Sequence, residues 1–235
     1  MNDFDLAVIR LVNSYAQHSW AVDRFIGVVA DNHLLKGGAL SMLVWWQWFR
    51  LSPRQVDDRG QVLATLLNSC VAMALAHVLA VVLPFRQRPI HEDALHFVLP
   101  HGAVPEALSG WSSFPSDHAT LFFALAAGLL FVSRPVGVLA LAYTSLVIAF
   151  PRLYMGFHYA TDLLAGALIG LLVVLAGNRV LMRTPLPRWL VGWSDRHPGY
   201  FYPFMFFFTY QIADNFEAIR ALARAVSGMV SGQGN

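Results

Sequence analysis

Charge is what this chain has least of. Only 13% of its 235 residues are Asp, Glu, Lys or Arg, against roughly 25% in an ordinary soluble domain. Hydrophobic residues make up 57%, and the mean hydropathy is +0.52. A protein with a fully water-exposed surface is excluded, and a membrane protein is expected. Lysine is nearly absent: of 16 cations, Lys36 is the one lysine and the rest are arginine. Arginine makes bidentate contacts with phosphate, which lysine cannot. The net charge of +2 leaves no basic excess for nucleic acid. A single cysteine, Cys70, lies in an apolar run, so no intrachain disulfide forms and the redox compartment is unread. Asp3, Asp5, Arg10 and Asp23 interrupt the first 25 residues, which therefore do not read as a signal peptide. Repeats, low-complexity tracts and linkers are also missing, and residues 1–235 read as one domain.

What the chain has is long apolar runs. A bilayer crossing takes about 20 mainly apolar residues. Residues 61–85 carry no charge at all, and 118–133, 135–151, 163–178 and 32–49 are further candidates. A sixth, 199–213, is short and contains Pro203. These runs are too long for barrel strands, and lipid-exposed backbone must bond internally, so helices are implied. Residues 4–26 mix apolar and charged positions and read as an amphipathic helix on the membrane surface. The expected fold is an all-α integral membrane bundle of about six transmembrane helices with that interfacial helix at its N-terminus.

Arginines collect in alternate connections: Arg50, Arg54 and Arg59, then Arg134, then Arg179, Arg183, Arg188 and Arg196. The positive-inside rule puts these in the cytoplasm. Arg86, Arg88 and Arg152 then fall on the outer face, where that rule disfavours them and another reason for them is needed. The same face receives Pro115, Ser116, Asp117 and His118 at the start of one span, and His158 and Asp162 at the start of another. His158 and Asp162 are four apart and share a helix face. A carboxylate there holds one imidazole nitrogen protonated and aims the other outward. His118 supplies a second imidazole suited to acid catalysis. Three guanidiniums suit a tetrahedral oxyanion, and Ser116 stands where it caps a helix whose first amides face an anion. Positive charge with two imidazoles, and no carboxylate cluster, points to metal-free phosphoryl transfer through a phosphohistidine.

The pattern Arg88-Pro89, Pro115-Ser116-x-His118 and Arg152-x5-His158-x3-Asp162 resembles the type-2 phosphatidic acid phosphatase superfamily, over roughly residues 60–180. Its members include membrane lipid phosphatases and vanadium-dependent haloperoxidases. The resemblance implies His158 as nucleophile, Asp162 as its partner and His118 as the acid on the leaving oxygen. Arg88, Arg152 and Ser116 are implied as phosphate ligands, with no metal and no cofactor. The chain departs from the family pattern at three places. Val81 stands where a lysine is usual, Pro151 where a serine is usual, and Asp117 where a glycine is frequent. Asp117 is similar to the undecaprenyl-diphosphate phosphatase branch. Arg86 is the nearest substitute for the lysine. With Pro89 keeping residues 86–88 extended, Arg86 and Arg88 are expected to reach one phosphate together.

The resulting expectation is a lipid phosphatase of the inner membrane with an outward-facing site. Its favoured reaction is undecaprenyl diphosphate to undecaprenyl phosphate. Phosphatidylglycerophosphate, phosphatidate and lipid A phosphates, or phosphotransfer to an acceptor, are alternatives. A transporter is the non-enzymatic rival. His77 and the loop residues His91, Glu92, Asp93, His96, His101 and Glu106 lack metal-ligand spacing and read as structural or solvated.

Overall fold

The computed structural model describes residues 2–230, which are helical apart from turns and one long loop. Three helices are long and apolar enough to cross a membrane: α4 (Gln55–Val82), the continuous stretch Arg134–Tyr154, and α8 (Ala160–Leu181). The middle one consists of α6 (Arg134–Tyr143), a π-helical stretch over Thr144–Ala149 and α7 (Phe150–Tyr154). The π stretch lies just before Pro151, whose missing N–H breaks the regular ladder; a widened turn absorbs that loss. Three shorter apolar helices complete the set: α3 (Ala39–Phe49), entered through a π turn at Leu34–Gly38, α5 (Asp117–Gly128) and α10 (Pro198–Ala213). The sequence expectation of about six full spans is thus met by three full-length ones among the described residues.

The bundle centres on α4, α5 and α8. Its core includes Val62, Leu66, Leu121, Phe122, Leu125 and Val174, all buried. α8 comes so close to α5 that a Cβ on Gly170 would strike the Thr120 carbonyl oxygen and stand 2.9 Å from the Ala124 nitrogen. Without a hydrophobic drive between helices in lipid, such close backbone approach and interhelical hydrogen bonds supply the cohesion. Asn178 provides the polar part, reaching Thr65 at 2.8 Å and Asn68 at 2.9 Å across to α4.

The segment expected as one interfacial helix over 4–26 is two helices, α1 (Asp3–Asn13) and α2 (Trp20–Asp31). Gln17 adopts φ +64 between them, and the Ser19 side chain caps α2. Two of their acidic residues, Asp5 and Asp23, face protein and not water, while Asp3 and Asp31 are exposed. Asp5 is fully buried against Thr161, and Asp23 is fully buried against Tyr154 and His101. Both helices therefore dock at the end of the bundle where α7 stops and α8 starts.

The arginine-rich connections gather at the other end. Arg50 and Arg59 pair with Asp58 and Asp195, and Arg188 pairs with Asp57. The last two pairs tie α9 (Leu186–Arg196) to α4. At the docked end, α11 (Glu217–Val230) follows α10 through a turn with positive φ at Asn215 and Phe216.

Candidate active site

α4 ends at Val82, and the chain runs extended through Arg88, φ −77 and ψ 152, as Pro89 requires. Residues 111–113 run alongside it: the Ser113 amide donates to the Arg86 carbonyl at 2.8 Å. Arg88 is buried, and its guanidinium donates to the carbonyls of Trp111, Ser112 and Phe157 at 3.1, 3.1 and 2.6 Å. One N–H also points at His158 Nε2 at 3.2 Å. Burial, with Arg152 nearby, pushes Arg88 down to about 10, so it remains a cation at neutral pH.

The turn between α7 and α8 sets His158. The amides of Phe157 and His158 both donate to the Arg152 carbonyl, at 2.9 and 3.3 Å. That turn needs Gly156 at φ +71, where a Cβ would lie 2.6 Å from the Phe97 ring. His158 Nδ1 lies 2.9 Å from the Ser113 carbonyl oxygen. A carbonyl only accepts, so Nδ1 carries the proton and Nε2 keeps a free lone pair facing Arg88. Burial holds the imidazole below the usual histidine range, and Arg88 and Arg152 act the same way against Asp162. The ring is therefore neutral near pH 7.

Asp162 sits behind this histidine, though not in direct hydrogen bond with it. Its Oδ2 stands 3.8 Å from Nδ1 and accepts instead from the Ser113 hydroxyl and, at 2.8 Å, the Tyr159 amide. Asp162 thus acts through Ser113, whose carbonyl accepts the hydrogen bond from the imidazole Nδ1–H. Nothing in the sequence singled Ser113 out, because its link to His158 spans 45 residues.

Arg86 differs from its sequence expectation. The backbone is extended as anticipated, yet the guanidinium does not join Arg88. It donates to Asp5 Oδ2 and Asp162 Oδ1, each at 2.5 Å, and to the Thr161 hydroxyl at 2.8 Å. Two buried carboxylates pull it behind the His158–Asp162 pair, because a buried carboxylate is costly unless paired. Arg86 is therefore corrected from phosphate ligand to counter-ion of the site's rear wall.

Arg152 is the opposite case. It is buried, and among the described residues its guanidinium makes no hydrogen bond; Nε is buried without a partner. Its field reaches both His118 and His158. A buried guanidinium with unfilled donors is what an anion site requires. Ser116 caps α5 by accepting from the Ala119 amide at 3.3 Å, which leaves its O–H available as a donor, and its own amide donates to the Asp162 carbonyl at 3.2 Å. On that first turn of α5, His118 Nδ1 pairs with Asp117 Oδ1 at 2.9 Å, and Asn215 approaches both residues. Glu217 stands 3.9 Å from His118 Nε2. Of the other residues weighed, His77 bonds the Met73 carbonyl and meets Arg220, while His101 anchors the long loop on Asp23.

A helical membrane bundle that gathers two histidines, two buried arginines and a helix N-terminus at one end defines a membrane phosphatase site. Residues 60–184 match the PAP2 superfamily, and the chain belongs to that family. It is accordingly a phosphatase acting on phosphate esters. Over 175 residues, 74% of this chain and 79% of the relative, it is 38% identical to the bacitracin transport permease protein BcrC of Bacillus licheniformis. It is 27% identical over 179 residues (76% and 83%) to the putative undecaprenyl-diphosphatase YbjG of Escherichia coli K12. With the undecaprenyl-diphosphatase BcrC of Bacillus subtilis 168 it shares 23% over 166 residues (71% and 78%).

Proposed function

We propose that this chain hydrolyses a lipid diphosphate, undecaprenyl diphosphate to undecaprenyl phosphate, through a phosphohistidine on His158. The observation that carries the mechanism is the pairing of His158 Nδ1 with the Ser113 carbonyl, which leaves Nε2 unprotonated, its lone pair facing an Arg88 N–H that the substrate phosphate would draw away. The Nε2 lone pair attacks the terminal phosphorus and the bond to the bridging oxygen breaks. His118 gives its proton to that oxygen, with Asp117 as the partner of its other nitrogen. Water then gives a proton back to His118 and attacks the phosphorus. The P–N bond breaks, inorganic phosphate leaves and the imidazole is restored. Charge on the three equatorial oxygens is what catalysis must stabilise, and Arg88, Arg152 and the Ser116 hydroxyl are the groups for it. Two relatives named as undecaprenyl-diphosphatases support the choice of lipid. Phosphatidylglycerophosphate, phosphatidate and lipid A phosphates are the alternatives, with transfer to an acceptor a further one. A relative named for bacitracin transport supports, by name alone, a permease reading. A catalytic histidine with its tautomer set has no task in that reading.

The test is phosphate release by purified protein in detergent from a panel of lipid phosphates and diphosphates, with and without chelator and with no acceptor present. Release should be greatest from undecaprenyl diphosphate and should survive the chelator, since Arg88, Arg152 and the Ser116 hydroxyl, and no cluster of carboxylates, face the transferred phosphate in the proposed chemistry. His158→Ala should abolish turnover. His118→Ala should leave a small residue, larger for a diphosphate, whose leaving group needs protonation least. Near-normal activity in both variants, or loss in chelator restored by one metal, would refute the mechanism.

A further inference from the structure

The missing family lysine raises a question that Arg86 does not answer, because Arg86 is bound to carboxylates. Val81, which occupies the lysine position, is apolar and 85% exposed, so it brings no charge to the site. The chain has one lysine, and it is not on the surface. Lys36 is only 3% exposed and sits on the π turn that opens α3. Single π turns inside helices often mark functional positions.

Several contacts place this turn at the site. A Cβ on the adjoining Gly37 would collide with the Ala213 backbone, so the turn lies hard against the end of α10. Two residues further on, Asn215 reaches His118 at 3.3 Å. The Lys36 charge acts on Arg152 and on His118, and the end of α10 packed on its turn is the one that carries Asn215 to His118. Lys36 thus belongs to the His118 side.

Among the described residues the Lys36 ammonium makes no hydrogen bond and no ion pair within 4.0 Å, while its backbone amide donates to the Asn32 carbonyl at 3.0 Å. The carboxylates in its field are Glu217, Asp31 and Asp214, and two of them have other partners. His33 stands 3.4 Å from Asp214 and 3.8 Å from Glu217, and Asp214 also accepts the Ala218 amide at 2.7 Å. The charge of Arg152, a second buried cation whose Nε has no partner, acts on Lys36. Two neighbouring buried cations with open donors repel each other, and such charges persist inside a bundle only when they are paired or used. An anion between them removes both penalties, and an ammonium suits phosphate as a compact point charge.

We propose that Lys36 binds the phosphate that stays on the lipid, with Arg152 on the transferred phosphate next to it, and so makes this enzyme selective for lipid diphosphates over monophosphates of the same tail. The inference rests on the phosphohistidine reading above, in which His118 marks the leaving-group side. A diphosphate has its retained phosphate there; a monophosphate has only its alkyl oxygen. Lys36 stabilises the charge that builds on the leaving phosphate as the bridging bond breaks.

The experiment compares wild type, Lys36→Met and Lys36→Arg on a prenyl diphosphate and on the monophosphate of the same chain length. Inhibition by orthophosphate and by that prenyl monophosphate is measured alongside. Lys36→Met should lower kcat/KM on the diphosphate by about a hundredfold and on the monophosphate by less than about threefold. It should weaken inhibition by the prenyl monophosphate and leave inhibition by orthophosphate unchanged, and Lys36→Arg should recover part of the loss. The unchanged arms also report that the variant is folded. Equal losses on both substrates, or weakened orthophosphate binding, would move Lys36 to the transferred phosphate and overturn the proposal, as would no change at all. A wild type that releases no phosphate from any diphosphate overturns the underlying reading and this one with it. A wild type that does, with Lys36→Met unaffected, overturns this one alone.

Discussion

At the scale of single residues, the site is decided by which donors are occupied. Arg88 is held by the carbonyls of Trp111, Ser112 and Phe157 and turns one N–H to His158, Arg152 has an empty Nε, and Arg86 is consumed by Asp5 and Asp162. These are three arginines with three different tasks. Arg86→Ala should therefore act on stability more than on substrate. Removing one partner of a buried pair leaves the other uncompensated and costs about 3–5 kcal/mol. Arg86 is partly open to solvent, which puts the expectation at the lower end of that range. Thermal unfolding in detergent should show a clear fall for Arg86→Ala and partial recovery when Asp5→Asn is added. Where the variant remains folded, KM should change less than about threefold. An unchanged melting temperature with a large loss of kcat/KM would put Arg86 on the phosphate after all. The sequence showed that an arginine stood here but not which way it turned, because Asp5 lies 81 residues away.

At the scale of elements, α1 and α2 behave as a clip held by two buried carboxylates. Burial works against Asp5, but the Thr161 hydroxyl and amide and the Arg86 charge outweigh it and hold its pKa below 3.8. Burial also works against Asp23, and Tyr154, His101 and the Gln17 amide outweigh it in the same way. A carboxylate whose folded pKa is depressed stabilises the docked state fully above its unfolded value, and that contribution is lost as pH falls through the folded one. The clip should hold unchanged from neutrality down to about pH 4 and loosen below 3.8, where the unfolded carboxylates start to bind protons. Fluorescence of Trp20, exposed at the head of α2, gives the readout, with hydrogen exchange of α1 as a second. Asp5→Asn with Asp23→Asn should remove the transition. Loosening that begins well above pH 4 would overturn the assignment to these two carboxylates.

At the scale of the whole molecule, the two ends of the bundle are chemically distinct. One end holds the candidate site, α1, α2 and the long loop; the other holds the arginine pairs linking α4 and α9. The charge bias favours the arginine end in the cytoplasm. In a Cys70→Ser background, His101→Cys should react with a membrane-impermeant maleimide on intact cells. Arg188→Cys should react only after the membrane is opened. The reverse pattern would invert the orientation and turn the site inward. The same single-cysteine variants, assayed for phosphate release, report whether each remains assembled.

The sequence by itself determined the class of protein and the cast of the site. Run length and charge scarcity are local properties, and the spacings 88–89, 115–118 and 152–162 are written along short stretches of chain. Helical character and membrane association were legible there, as was the choice of His118, His158, Arg88, Arg152, Ser116 and Asp162 as candidates. Only the tertiary structure decided how they work together. Ser113, and not Asp162, accepts the His158 hydrogen bond; Arg86 turns to carboxylates; the supposed surface helix folds into two and buries Asp5 and Asp23; and Lys36 comes to the His118 side. Each of these depends on groups brought together from distant parts of the chain, and on buried charges choosing among competing partners. Periodicity and spacing hold no record of that choice, because its energy comes from desolvation and pairing once the helices have packed.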